Sequence, residues 1–77
     1  MERISNYTAH RIASRLRDRG YGATVQVRSR DKNGRPYSHE IIIFPMRFSI
    51  RYRAHLRSTD PAIIAQALAA VDAATNN

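Results

Sequence analysis

Apolar positions change their period along the chain, and the changes mark its elements. From Asn6 to Arg19 the residues Ala9, Ile12, Ala13 and Leu16 recur at i, i+3, i+4 and i+7, the spacing of one helical face. Ser5 or Asn6 can cap the first turn, Gly20 offers the positive φ of a helix stop, and Tyr21 can fold back onto Leu16. Ala23 to Arg28 then alternates, as does a later strand around Ile41-Ile42-Ile43-Phe44. Between them lies DKNGRP, whose Asn33-Gly34 pair signals a type I′ hairpin turn. A two-residue loop at Asn33-Gly34 sets Arg30 opposite Tyr37, Arg28 opposite His39, Val27 opposite Glu40, Gln26 opposite Ile41 and Val25 opposite Ile42.

A third strand, Arg47 to Leu56, alternates cleanly. Phe48, Ile50, Tyr52, Ala54 and Leu56 point one way; Arg47, Ser49, Arg51, Arg53, His55 and Arg57 point the other. Pro45 interrupts the ladder before it. A three-residue loop, Pro45-Met46-Arg47, sets Phe44 opposite Phe48, Ile42 opposite Ile50 and His39 opposite Arg53. An even loop would invert every face, so the odd one is preferred. The last segment predicts a helix from Pro61 to about Ala74, capped by Asp60, with Ile64, Ala67, Leu68 and Val71 as its buried stripe.

The predicted order is α-β-β-β-α: a two-layer α+β domain over residues 1–77, with a three-stranded antiparallel sheet, two helices on one face and a loose tail at 75–77. The expected core takes Val25, Val27, Ile42, Phe44, Phe48, Ile50 and Tyr52 from the sheet. Ile12, Leu16, Tyr21, Leu56, Ile64, Leu68 and Val71 come from the helices and connections. Glu40 would turn toward the helices, beside Val27 and Tyr52, and pair with an arginine of the first helix.

The same register puts Thr24, Gln26, Arg28, Arg30, Tyr37, His39, Ile41, Ile43, Arg47, Ser49, Arg51, Arg53 and His55 on the uncovered face. Charge makes that face the centre of interest. The chain carries thirteen Lys+Arg, twelve of them Arg, against six Asp+Glu, for a net +7. Residues 1–57 hold every basic residue, while 58–77 hold only Asp60 and Asp72. Crowded arginines repel unless an anion compensates them, and a polyphosphate backbone is the commonest such anion. Arginine also reads guanine bidentately in the major groove, where Ile41 and Ile43 could touch thymine methyls. The expected function is therefore nucleic-acid binding, with DNA favoured over RNA, through Arg28, Arg30, Arg47, Arg51, Arg53, Gln26, Tyr37 and His39. Arg11, Arg15 and Arg19 form an i, i+4, i+8 stripe that could supply secondary phosphate contacts, with Arg17 and His10 on the opposite flank. Two alternatives stand beside this: a charged outer face with no ligand, and a homodimer through Ile41 and Ile43.

Several chemistries drop out. With no cysteine, disulfides, thiolate metal sites and thiol nucleophiles are excluded. No signal-peptide or membrane-length apolar run occurs, so a cytoplasmic protein without membrane contact is expected. The acids are scattered, no glycine-rich phosphate loop or nucleophile elbow is present, and no cofactor, metal or enzymatic activity is expected. His39 and His55 are the only catalytic-looking pair. As diagonal neighbours they could flank a phosphate, which is the basis of a third function, an RNA-cleaving toxin. A second function from another class is a small phage-type inhibitor or adaptor that docks its basic face on an acidic host protein.

The run VQVRSRDKNGRPYS, a following strand, and then TDPAIIAQALAAVDAA resemble two module types over roughly residues 22–74. These are the ethylene-response-factor DNA-binding domain and the arm-binding amino-terminal domain of phage tyrosine recombinases. Both place Arg-bearing strands of a three-stranded sheet on DNA, which by resemblance implies Arg28, Arg30, Arg51 and Arg53 as base and phosphate contacts. The chain lacks the Trp and Gly-Thr-Phe signatures of those families and has an extra N-terminal helix. Its full element order is also similar to the double-stranded-RNA-binding domain. That family grips phosphate with a Lys-rich start to the last helix, whereas Ser58-Thr59-Asp60-Pro61-Ala62 carries no positive charge.

Overall fold

The computed structural model describes residues 3–45, 48–54 and 61–75. Its elements are β1 (Arg3–Ile4), α1 (Asn6–Asp18), β2 (Gly22–Arg30), β3 (Pro36–Phe44), β4 (Phe48–Ala54) and α2 (Pro61–Thr75). The three long strands are antiparallel as predicted, and the short β1 adds in parallel to β4, giving the order β1-β4-β3-β2. Met46, Arg47, His55, Leu56, Arg57 and the Asp60 cap lie outside the described residues, as does the tail beyond Thr75, which is itself the last residue of α2. No helix among the described residues is long and apolar enough to cross a membrane.

Local signals place α1. The Ser5 hydroxyl accepts from the Thr8 N–H at 3.1 Å, which satisfies a first-turn donor. At the other end Tyr21 N donates to Leu16 O at 3.1 Å and Gly20 N to Arg17 O at 2.9 Å, with Gly20 at φ +93, the paired bonds of a Schellman stop. Ala9, Ile12, Ala13 and Leu16 are fully buried on the sheet side. Ile4, immediately before the cap, is fully buried too. An apolar residue there commonly packs back to fix the entry of the chain into the helix.

The hairpin departs from the predicted turn. Gly34 has φ +79, but no non-glycine among the described residues has positive φ, so Asn33 cannot be the first residue of a type I′ turn. Instead Asp31 organises a wider loop. Its Oδ1 accepts from Asn33 N at 2.9 Å and Arg35 N at 3.0 Å, while Gly34 N donates to Asp31 O at 3.0 Å and Asp31 N to Arg35 O at 2.9 Å. This is a type I turn with Asp first and Gly fourth. The loop becomes Lys32-Asn33-Gly34, and the register moves by one: Val25 faces Ile41, Gln26 faces Glu40 and Val27 faces His39. Nearer the turn Ser29 faces Ser38 and Arg30 faces Pro36, so Arg28 and Tyr37 are the residues the ladder skips.

The β3–β4 register moves as well, to Ile43 opposite Phe48, Ile41 opposite Ile50 and His39 opposite Tyr52, the pairing of an even loop. The two shifts together invert β3. His39, Ile41 and Ile43 face the helices and are fully buried, whereas Ile42 is half-buried and Phe44 is 51% exposed on the other side. The expected core positions Ile42 and Phe44, and the expected open-face positions His39, Ile41 and Ile43, are thus exchanged. Chemistry selects this phase. The alternative would bury the Glu40 carboxylate among apolar side chains, which costs far more than burying an imidazole that can stay neutral. Val25, Val27, Phe48, Ile50 and Tyr52 keep their predicted side, because β2 and β4 are not inverted.

On the outer flank of the sheet, Arg17 Nε and Nη2 both donate to the Ala23 carbonyl, at 3.1 and 2.7 Å. The turn gives the first test of this architecture. Replacing Asp31→Ala removes two side-chain-to-backbone bonds, and urea unfolding should show a loss of about 1 kcal/mol. Replacing Asn33→Ala, which vacates no such bond, should cost less.

Candidate nucleic-acid interface

The uncovered face of the sheet is built from Thr24, Gln26 and Arg28 on β2, Tyr37, Glu40, Ile42 and Phe44 on β3, and Ser49, Arg51 and Arg53 on β4. Skipping Arg28 in the ladder lets Arg28 and Ser29 both reach this side, where Ser29 and Ser38 share a hydroxyl hydrogen bond of 2.7 Å. Tyr37, skipped on the partner strand, is half exposed, and the Arg53 guanidinium lies over its ring at 6.0 Å from the centroid. At the far end a shallow hollow of ≈ 310 Å³ opens beside Ile42, Phe44, Pro45 and Phe48, with Glu40 and Ser49 at its polar end.

Glu40 sits in the middle of the arginines. Arg51 Nε donates to its Oε2 at 2.9 Å, Ser49 Oγ donates to the same oxygen at 3.1 Å, and Arg28 Nε lies 3.2 Å from Oε1. The Arg51 hydrogen bond holds the Glu40 carboxyl below the ordinary range; burial pushes the other way, and Ser49 and Arg28 reinforce Arg51. Part of the anion that the crowded arginines require is therefore supplied by the chain itself. Both guanidiniums stay largely accessible, with side-chain exposures of 49% for Arg28 and 62% for Arg51 against 8% for Glu40. A phosphate can approach them from the solvent side without displacing the carboxylate. The predicted partner of Glu40, an arginine of α1, is corrected to these two strand arginines.

The remaining predicted contacts divide. Gln26, Arg28, Tyr37, Arg51 and Arg53 share the open face. Arg30 is exposed but folds back on the turn, donating to Gly34 O at 2.9 Å. Arg47 and His55 lie outside the described residues. His39 is fully buried on the helix side, and among the described residues neither ring nitrogen has a hydrogen-bond partner. Burial lowers its imidazole below the ordinary range, and the charge of His10 lowers it further. It can neither touch a nucleic acid nor flank a scissile phosphate with His55. Ile41 and Ile43, being in the core, form no dimer contact. Arg11, Arg15 and Arg19 lie in the helix layer, on the other side of the sheet from the open face, where they line a groove against α2. They cannot contact the same strand segment as Arg28, Arg51 and Arg53. Glu40, Ile42 and Phe44 are the site residues that alternation missed; the one signal for Glu40 was the cost of the burial assigned to it.

Two buried or clamped groups with depressed pKa values shape the acid stability. Each binds its proton more readily in the unfolded chain, so each makes stability fall as pH falls. His39 acts first, from the ordinary imidazole range near 6.5 downward, and Glu40 acts below the ordinary glutamate value of 4.5. Denaturant midpoints measured from pH 8 to 3 should decline in two stages. His39→Leu should flatten the first stage and leave neutral-pH stability equal or higher, because it removes two unpartnered buried nitrogens. Glu40→Gln should flatten the second and strengthen heparin retention.

No protein-family model matches the chain, and no curated protein or solved structure does.

Proposed function

We propose that this chain is a small non-enzymatic nucleic-acid-binding protein whose open sheet face takes an unpaired strand. The observation that carries the reading is the exposed Tyr37 ring under the Arg53 guanidinium, on the same face as the accessible Arg28 and Arg51. Unpaired bases stack on exposed aromatic and guanidinium planes, while neighbouring cations hold the backbone. Phe44 and its hollow offer a second apolar seat seven residues along β3, about 23 Å from Tyr37 at ~3.3 Å per residue. Arg28, Arg51 and Arg53 supply phosphate contacts between the two seats. Gln26 can hydrogen-bond a base edge, and the Glu40 carboxylate can accept from a cytosine or guanine amino group.

Duplex DNA is the second reading. It is favoured by three arginines on one face, on the two strands that flank β3, the arrangement that the resemblance to three-stranded DNA-binding modules implies. Aromatic stacking separates the two, because a paired base offers no free face to Tyr37.

The test is a salt titration of single-stranded DNA, single-stranded RNA and duplex DNA of one length. Neutralising three phosphates of a single strand predicts a slope of log K against log salt near −2. Tyr37→Ala should weaken single-strand binding by ~1–3 kcal/mol and leave duplex binding unchanged. A folded Tyr37→Ala, Arg53→Ala double variant that binds every probe as the parent does would overturn the proposal. Tighter duplex binding that ignores Tyr37→Ala would replace it with the groove reading.

A further inference from the structure

The helix layer carries a second basic surface that the open sheet face does not use. A groove of ≈ 390 Å³ runs between α1 and α2, with Arg11, Arg15 and Arg19 on one wall and Ile64, Ala65 and Leu68 on the other. Its walls are tied at one end, where Arg19 Nη1 donates to both carboxylate oxygens of Asp72 at 2.9 and 2.8 Å. Arg19 is thereby committed. Arg11 rests on the exposed Tyr7, its Cζ 5.7 Å from the ring centroid, and Arg15 has no ion-pair or hydrogen-bond partner among the described residues. On the facing wall Ile64 and Leu68 give one side to the core and have the other uncovered by the described residues, while the exposed Ala65 leaves room for close approach.

We propose that this groove docks an acidic amphipathic helix of a partner protein, with Arg11 and Arg15 pairing its carboxylates and Ile64 and Leu68 receiving its apolar edge. The spacing supports that occupant. Arg11 and Arg15 are four residues apart on one helix, and so are Ile64 and Leu68 on the other, a rise of about 6 Å in each case. A helix laid along the groove presents carboxylates one turn apart on one side and aliphatic side chains one turn apart on the next. Charge separates the candidates. A nucleic-acid backbone would neutralise Arg11 and Arg15 but leave Ile64 and Leu68 uncovered. A second copy of this chain would bring a net +7 to a basic groove, and of the carboxylates on its two helices Asp72 is already bound to Arg19. The groove and the open sheet face lie in opposite layers, so this inference is independent of the proposed nucleic-acid site.

The experiment uses the full chain and a fluorescein-labelled helical peptide carrying Glu at i, i+4 beside a Leu stripe, with Gln and Lys versions as controls, read by anisotropy. The acidic peptide should bind about tenfold or more tightly than the Gln peptide, and added salt should weaken it. Arg11→Glu with Arg15→Glu should abolish that preference and transfer it to the Lys peptide. Ala65→Tyr fills the groove from an exposed position without touching the arginines or the core, and should reduce acidic-peptide affinity about tenfold with the circular dichroism spectrum unchanged. Absence of saturable acidic-peptide binding would overturn the proposal. Binding that survives both Ala65→Tyr and the charge reversal would overturn it too. An oligonucleotide whose affinity falls with Ala65→Tyr while the peptide's does not would assign the groove to a phosphate strand instead. None of these variants alters Tyr37, Arg28, Arg51 or Arg53, so failure here leaves the single-strand result standing.

Discussion

His39 and Glu40 are neighbours on β3, so a strand that turns one outward turns the other inward. Of the two side chains, the imidazole is already largely neutral at ordinary pH, whereas a buried glutamate becomes neutral only if its pKa is pushed far above the ordinary value, at a cost in free energy. That inequality sets the phase of the central strand, and the rest of the sheet follows from it. Ile41 and Ile43 close the core against α1, while Ile42 and Phe44 go to the open side. Glu40 reaches the gap between Arg28 and Arg51, where Arg51 and Ser49 donate hydrogen bonds to the carboxylate and Arg28 pairs with it. The core keeps a defect as a result: an imidazole whose two nitrogens have no partner among the described residues, where an aliphatic side chain would sit without desolvation cost.

How much could be read from the chain depended on how local each signal was. The first helix was legible to within one residue of its end, since cap, stripe and glycine stop each act within a few positions. β2 and β4 were legible in phase because each alternates by itself. β3 was not, because Ile41-Ile42-Ile43-Phe44 is apolar at every position and buries two large side chains in either phase. Its assignment rested on two loop lengths, and the first was misjudged by weighing Asn33-Gly34 above the Asp31 that caps the wider turn. β1 is two residues long, too short for any periodicity. Most of the candidate arginines kept their predicted face because they sit on the two well-determined strands. Tyr37 reached its predicted side through two offsetting departures, the inversion of β3 and the skipped ladder position beside the turn.

The distribution of charge also differs from a simple basic coat. On the open face two arginines, Arg28 and Arg51, flank one carboxylate while Arg53 lies over Tyr37, so local repulsion is relieved while a net positive potential remains outside the sheet. In the helix layer the same device recurs once, with Arg19 held by Asp72, and there the bond ties two helices together rather than supporting a strand. Each basic surface thus contains one carboxylate whose ion pairing fixes geometry, and cations that face outward. Both surfaces also place apolar side chains next to those cations: Ile42 and Phe44 on one, Ile64 and Leu68 on the other.

The double hydrogen bond from Arg17 to the Ala23 carbonyl bears on how copies of this protein tolerate one another. β2 is the outermost strand of the sheet, and an outer strand offers unused backbone groups to any other extended chain. Arg17 occupies one of those acceptors at the strand's beginning with a charged group that an incoming backbone would have to displace. At the other end, the irregularity at Arg28 breaks the straight run of the edge, and Arg28 and Arg30 add charge there. Strand-by-strand growth along β2 is therefore obstructed at both ends of that edge.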